Sequence, residues 1–380
     1  VLHMKNKPSL TPSIEQQIVC DHIEAGDNVV VDACAGSGKS TTILSVAKQL
    51  PRRRFLQITY NAMLRKEFRD KVEEYSIRNI EVHTYHSLAV RFFSKEAYTD
   101  TGIRHILSRN IEPREDLPFY HVIVLDETQD MTFLYFRFIL HVIRFIAREK
   151  HKIQLLILGD YMQGLYEFKG ADIRFLTLAD SIWGTAAAAA SSRRWLRSKK
   201  FHTCSLRMSY RITRPMAAFV NHVMLGEERL LACRDGAQVT YIRNSRVNLE
   251  RIVFYHINKI LQEGDLPSDI FILGASVKGA NSNIRKLENA LVERGIPCHV
   301  PMLENEKIDD RVIQGKVVFS TFHTVKGRQR KYVFVIGFDQ SYFDYYAKNM
   351  EPNVCPNTLY VACTRATHSL FLLESNDRST

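Results

Sequence analysis

The stretch Val29 to Thr42, VVVDACAGSGKSTT, constrains this chain more than any other. Asn28 to Val31 are mostly β-branched and predict a buried strand. A loop of small residues follows and ends in Gly36-Ser37-Gly38-Lys39-Ser40. After it Ile43, Val46, Ala47 and Leu50 recur at helical spacing. Strand, tight loop and helix form the context of a phosphate-binding loop, because N–H groups at a helix start point outward and the helix dipole favours an anion there. On this reading Ala35, Gly36, Ser37, Gly38, Lys39, Ser40 and Thr41 cradle a nucleotide. Lys39 reaches its β- and γ-phosphates, and the Ser40 hydroxyl ligates Mg²⁺. The pattern G-x-x-x-x-G-K-[ST] expects glycine at position 33, where this chain has Ala33. The competing reading is a glycine-containing turn with no ligand.

With 380 residues the chain has room for two or three domains, each with its own core. Its net charge of +11 suits a polyanionic partner without proving one. The seven cysteines are odd in number and show no C-x-x-C pair. They read as structural thiols of a reducing compartment, not as a disulfide framework or zinc site. No apolar run approaches the ~20 residues of a membrane span, and the start lacks the apolar core of a secretory signal. The expectation is an intracellular protein that is neither secreted nor in a membrane. Met131 to Ile146, the most apolar stretch, is broken by Arg137, His141 and Arg144 and predicts a buried helix.

Three more apolar runs follow the first strand: Phe55 to Ile58, Val122 to Leu125 and Leu155 to Leu158. Each ends at a polar cluster. Apolar strands alternating with helices predict a parallel sheet covered on both faces, with ligands at the carboxyl ends of its strands. Ile270 to Leu273, Val317 to Phe319, Val333 to Ile336 and Leu370 to Leu373 predict a second such sheet, and Asn283 to Glu293 an amphipathic helix. The expected class is α/β: an N-terminal lobe over 1–183, a linker or truncated insertion over 184–200, and a C-terminal lobe over 201–380. The linker holds five alanines, Ala186 to Ala190, which are a helical spacer or stand in for other residues. Its basic run around Trp195 (Arg193, Arg194, Arg197, Lys199 and Lys200) reads as a solvated linker, with nucleic acid contact as the alternative.

Asp126-Glu127 closes the strand Val122 to Leu125. An acidic pair there, downstream of a phosphate loop, has a chemical role. Asp126 holds Mg²⁺, and Glu127 orients and deprotonates the water that attacks the γ-phosphorus. Gln163, after the strand Leu155 to Leu158, is placed to sense the γ-phosphate. Tyr166 and Phe168, beside Lys169, are positioned to stack on bases, unless one of the two is core. Arg211 and Arg365, both on the second lobe, suit arginine fingers that meet the γ-phosphate on closure.

In this order the clusters resemble the superfamily 1 DNA helicases of the UvrD/Rep type. LTPSIEQQ (Leu10 to Gln17) is similar to the Q motif and ACAGSGKS to motif I. ITYNA (Ile58 to Ala62) and HTYHSLA (His83 to Ala89) fit motifs Ia and Ib, DETQD motif II, and GDYMQGLYEFKGA motif III. LRMSYR (Leu206 to Arg211) fits motif IV, STFHTVKG (Ser320 to Gly327) motif V and LYVACTRA (Leu359 to Ala366) motif VI. The resemblance spans nearly the whole chain. It implies two RecA-like lobes with ATP between them and single-stranded DNA across their tops. It implies that Gln16, or Gln17, reads adenine, that Tyr210 stacks on it, and that Gln163, Arg211 and Arg365 contact the γ-phosphate. Thr59, Tyr60, Asn61, His86, Tyr166, Phe168, Thr321 and His323 would line the DNA path. Three departures stand out. Motif V continues Gly327-Arg328-Gln329-Arg330 where the family has leucine and glutamate, so Gln329 offers a ribose contact without charge. Cys34 stands where glycine is common. The insertions typical of both lobes are nearly absent, as in compact helicases of large DNA viruses.

The sequence thus predicts an ATP- and Mg²⁺-dependent helicase or translocase moving on single-stranded or tailed duplex DNA, with 3′ to 5′ direction from the family. The alternatives are a translocase that does not unwind, an RNA motor, and a scaffold with an inert site. Protein partners are not legible.

Overall fold

The computed structural model describes residues 10–146, 152–189, 196, 200–277, 283–301, 309–351 and 353–376. The chain divides into two compact units, Val1–Arg207 and Met208–Thr380.

In the first unit the elements run α1 (Ile14–Ala25), β1 (Asn28–Ala33), α2 (Lys39–Gln49), β2 (Phe55–Thr59), α3 (Ala62–Glu74), β3 (Ile80–Thr84), α4 (Tyr85–Phe92), α5 (Asp100–Ser108), β4 (Val122–Leu125), α6 (Phe133–Ile146), β5 (Gln154–Gly159), α7 (Arg174–Thr177), α8 (Ala179–Ala189) and β6 (Phe201–Leu206). The six strands form one sheet in the order β3-β2-β4-β5-β1-β6, and every pairing is parallel. Side chains alternate across it, as the period of two requires. Val29, Val31 and Ala33 pack with Val19, Ile23, Ile43 and Phe68 on one face. Val30, Ile58, Ile123 and Ile157 pack with Leu88, Phe138 and Trp183 on the other. Both faces are therefore buried, which is why the central strands read as unbroken apolar runs. Because all strands are parallel, residues that follow β1, β2, β4 and β5 emerge at one edge of the sheet.

The second unit holds β7 (Met208–Thr213), α9 (Arg214–Phe219), β8 (Leu231–Arg234), β9 (Thr240–Asn244), α10 (Arg246–Gln262), β10 (Ile270–Gly274), α11 (Asn283–Val292), β11 (Cys298–His299), α12 (Asp310–Ile313), β12 (Val317–Thr321), β13 (Arg330–Ile336), α13 (Gln340–Tyr345), α14 (Asn357–Cys363) and β14 (Ala366–Ser375). Its main sheet is again six-stranded and parallel, in the order β11-β12-β10-β13-β14-β9. β7 and β8 make a separate pair. Ile270, Ile272, Phe319 and Phe334 pack against Val253, Ile257, Leu287 and Leu291 of α10 and α11. The expected α/β class with two parallel sheets flanked by helices holds.

One boundary needs correction. The sequence assigns Phe201 to Leu206 to the second lobe, yet this strand pairs with β1 from Asn28↔Phe201 to Ala33↔Leu206, and the division falls after Arg207. The alanine run is helical through Ala189, the last residue of α8. Trp195 and the basic residues Arg193, Arg194, Arg197 and Lys199 lie outside the described residues. Among the described residues no helix is long and apolar enough to cross a membrane.

Candidate functional site

The loop between β1 and α2 turns on Gly38, which caps α2 with φ 86° and ψ 38°. That left-handed backbone strains any side chain, and a Cβ there would also lie 2.7 Å from Gln16 Nε2. Gln16 itself is buried. Its Nε2 donates to the carbonyls of Ser37 and Gly38, both at 3.4 Å, while its Oε1 accepts from Ser13 N in a capping box. The glutamine thus braces the phosphate loop from α1. Gln17, the alternative reader, pairs instead with Asp21 and Gln49 near the surface. Cys34 anchors the loop at its start. Its N–H donates to Leu206 O at 2.9 Å and its thiol to Arg207 O at 3.1 Å, tying the loop to the end of β6. Ser37 Oγ is buried with no hydrogen-bond partner, an orphan polar atom inside the loop.

Lys39 Nζ lies 2.7 Å from Glu127 Oε1. Burial weighs most against the lysine's charge, but Glu127, Asp126 and Asp160 together hold its pKa above the ordinary value. Asp126, 7 % exposed, is pushed up to about 6, first by burial and then by the Glu127 carboxylate. Its Oδ1 accepts from Glu127 N at 2.9 Å and its Oδ2 from Gln57 Nε2 at 3.4 Å. Two adjoining carboxylates lie beside the Lys39 ammonium. That donor set suits a hard divalent cation such as Mg²⁺, with Asp126 and the Ser40 hydroxyl as its protein ligands. The orphan Ser37 hydroxyl beside the α2 N-terminus suits a phosphate oxygen. Such an ion would neutralise phosphate charge; the chain's own groups supply the positioning.

Glu127 sits at φ 54°, a left-handed conformation that costs a non-glycine residue on the order of 1–3 kcal/mol. The kink starts a short turn over Thr128–Asp130 that folds Gln129 back onto the site. Gln129 is fully buried. Its Nε2 donates to Glu127 Oε2 and its Oε1 accepts from Asp160 N at 3.2 Å. Asp160 Oδ2 in turn accepts from Gln163 Nε2 at 2.8 Å. Lys39, Glu127, Gln129, Asp160 and Gln163 therefore form one continuous chain across the ends of β1, β4 and β5. Gly159 makes it possible, because a Cβ there would meet Gln129 Oε1 at 2.5 Å. Sequence reasoning named the ends of this chain but missed Gln129, Asp160 and Gln57. The signal for Gln129 was its place within DETQD, two residues after a strained glutamate.

At the end of β2, Thr59 is buried and its Oγ1 has no partner. Asn61 Oδ1 accepts from Leu64 N at 2.9 Å and caps α3. Tyr60 stacks on Tyr166 with ring centroids 5.6 Å apart and planes 11° apart. Phe168 meets Tyr166 edge-on at 6.2 Å and is 70 % exposed; Lys169 Nζ lies 5.0 Å from the Tyr166 ring and 5.6 Å from that of Phe168. Neither aromatic of LYEFKGA belongs to the closed core. His86 Nε2 contacts Asp100 Oδ1 at 3.0 Å, and that oxygen also accepts from Tyr135 OH at 2.9 Å. Tyr60, His86, Tyr166 and Phe168 thus share one basic-edged aromatic surface, linked through Tyr135, which both Tyr60 and His86 meet edge-on.

In the second unit Tyr210 is 45 % exposed on β7. Arg211 Nε donates to Gln329 Oε1 at 2.7 Å and its Nη1 to Thr364 O at 3.3 Å. The departure from glutamate at Gln329 keeps an acceptor for the guanidinium without a second charge. Arg365 is 1 % exposed; its Nε donates to Val361 O at 2.9 Å, Nη1 to Arg328 O at 3.3 Å and Nη2 to Thr364 Oγ1 at 3.3 Å. Three distant motifs meet here. Thr321 ends β12 and His323 follows it, and Thr321 Oγ1 shares a hydrogen bond with Thr324 Oγ1 at 2.6 Å.

The AAA domain family matches residues 16–169. The chain is 24 % identical over 312 residues to the Acanthamoeba polyphaga mimivirus protein named "Putative ATP-dependent DNA helicase R568". That stretch is 80 % of this chain and 39 % of the viral protein, so the chain spans about two fifths of that relative's length. Similar solved structures include an Arterivirus nonstructural protein 10 (helicase) with DNA, at TM-score 0.45 and 11 % identity over 93 % of this chain and 62 % of that one. The PRRSV helicase gives TM-score 0.43 and 11 % identity, covering 94 % of this chain and 54 % of that one.

Proposed function

We propose that this chain is an ATP-driven motor on single-stranded DNA, a helicase similar to the UvrD/Rep type of superfamily 1, with 3′ to 5′ direction. The observation that carries the reading is the Lys39–Glu127 contact at 2.7 Å beside Asp126, at the mouth of a glycine loop. A mere glycine turn has no need for a buried Asp126 next to a strained Glu127 that pairs with its lysine. Lys39 binds the β- and γ-phosphates, and Asp126 with Ser40 holds Mg²⁺. Glu127, released from Lys39 as the lysine turns to phosphate, takes the proton of the attacking water. Gln163 reports the γ-phosphate through Asp160 and Gln129. Gln16 fixes the loop beside the adenine, and Tyr210 offers it a stacking face. On the family resemblance, Arg211 and Arg365 are γ-phosphate contacts and Gln329 a ribose contact. On the same resemblance, Thr59, Tyr60, Asn61, His86, Tyr166, Phe168, Thr321 and His323 are strand contacts. A name containing "DNA helicase" on a relative at 24 % identity supports the same reading.

The test is ATP turnover with single-stranded DNA, with RNA and with no polymer. Stimulation by single-stranded DNA is expected. Lys39→Ala should lower turnover by about 10³-fold or more; unchanged turnover would refute the site. A second reading, translocation without unwinding, is favoured by the short span from α4 to β4, which holds only the single nine-residue helix α5. Strand displacement on tailed duplexes of both polarities separates the two: stimulated turnover without displaced strand would sink the unwinding claim.

A further inference from the structure

At the opposite end of α1 from Gln16, three side chains converge that the motor does not use. His22 lies in the last turn of α1, Asp27 follows the Gly26 cap, and His202 is the second residue of β6. Asp27 Oδ2 is 2.9 Å from His22 Nδ1 and 3.6 Å from His202 Nε2. The two imidazoles stack with centroids 4.5 Å apart and planes 26° apart. One ligand atom from each of the three residues lies within 4.8 Å of the others. A tetrahedral metal with bonds of about 2.0–2.1 Å sets its ligand atoms about 3.3 Å apart. The two measured separations bracket that value.

We propose that His22, Asp27 and His202 form a binding site for a transition-metal cation of the zinc class. Two imidazole nitrogens and one carboxylate oxygen are the donors that Zn²⁺, Co²⁺ or Ni²⁺ takes, whereas Mg²⁺ and Ca²⁺ want oxygen. All three residues are partly exposed, with side-chain exposures of 33 %, 31 % and 48 %, so the ion has an entry path and a fourth position open to water. The ligands come from three elements that only the folded unit brings together. Binding therefore fastens α1 to β6 and adds to the stability of the fold. The other end of α1 is already tied to the end of β6, where Glu15 Oε2 accepts from Arg207 N at 3.0 Å. With the ion bound, α1, which braces the phosphate loop through Gln16, is held to the edge strand at both ends.

The experiment is a competitive Zn²⁺ titration of chelator-treated protein free of any histidine tag, with the visible spectrum of the Co²⁺ form as a second readout. One zinc per chain is expected, with a tetrahedral Co²⁺ spectrum and a raised melting temperature. Both His202→Ala and Asp27→Asn should weaken affinity by about tenfold or more and abolish the Zn²⁺-dependent rise in melting temperature. A metal-free melt of each variant reports whether it is folded. If Asp27→Asn fails to fold, His202→Ala decides the matter, since His202 is on an exposed edge. Equal zinc affinity in wild type and His202→Ala, or no binding by the wild type, overturns the site.

Discussion

The two sheets share a class but distribute their candidate site residues differently. In the first unit everything emerges at the carboxyl edge: the phosphate loop after β1, Tyr60 and Asn61 after β2, Asp126 after β4 and Asp160 after β5. In the second unit they separate. Thr321 and His323 stand at the carboxyl end of β12, whereas Gln329 and Arg365 precede β13 and β14, which pair as Arg330↔Ala366. Residues 322–329 carry the chain from one edge of that sheet to the other. The electrostatics differ in the same way. Lys39 pairs with the oppositely charged Glu127, whose backbone is left-handed. Arg365 is satisfied by neutral oxygens of its own unit. The first contact is ionic, and Arg365 is held by neutral acceptors.

The sharpest way to break that contrast is the arginine pair. Arg365→Ala removes a buried guanidinium with three acceptors, and should cost about 3 kcal/mol of stability as well as turnover. Arg211→Ala, nearer the surface, should lower single-strand-stimulated turnover by about 10³-fold with little change in melting temperature. Equal melting temperatures for both variants would show that Arg365 does not brace its unit. Within the first unit, Gln129→Ala should lower kcat by about 10- to 100-fold with a smaller change in KM for ATP, if its bonds to Glu127 and Asp160 position the proposed base. Restoration of kcat by Gln129→Glu would argue against the amide's two-sided role.

Smaller effects test the outer surface. Tyr166→Ala should weaken single-stranded DNA binding by about 1–3 kcal/mol, read by fluorescence anisotropy, and leave unstimulated turnover unchanged. His83 offers a pH test. Burial, then the charges of Arg69, Arg65 and Arg91, lowers its pKa to about 4. The neutral form is favoured in the fold, so this contribution is fully present above pH 6.5 and is lost as pH falls toward 4. Denaturant unfolding should show a loss on the order of 1–2 kcal/mol across that window, discounted for partial exposure, and His83→Gln should flatten the slope.

The strands of the two six-stranded sheets that were missed from the sequence share a position. β3, β6, β9 and β11 are the four edges of the two sheets, whereas every predicted apolar run is a central strand. An edge strand is covered less completely, as in Phe201–Leu206, where only Cys204 and Leu206 are buried. Its composition therefore lacks the continuous apolar signal. Missing β6 moved the expected boundary from Arg207 to Lys200.

The glycine loop, the acidic pair, the central strands and the α/β class were legible in the residues alone, because each depends on neighbours along the chain. What those residues touch was not. Only folding places Gln129 between Glu127 and Asp160, Gln329 against Arg211, and His202 beside His22. Gln129–Asp160, Arg211–Gln329 and His22–His202 join residues 31, 118 and 180 positions apart. Periodicity reports local geometry and burial; a hydrogen bond between distant strand ends depends on the order in which the sheet is wound.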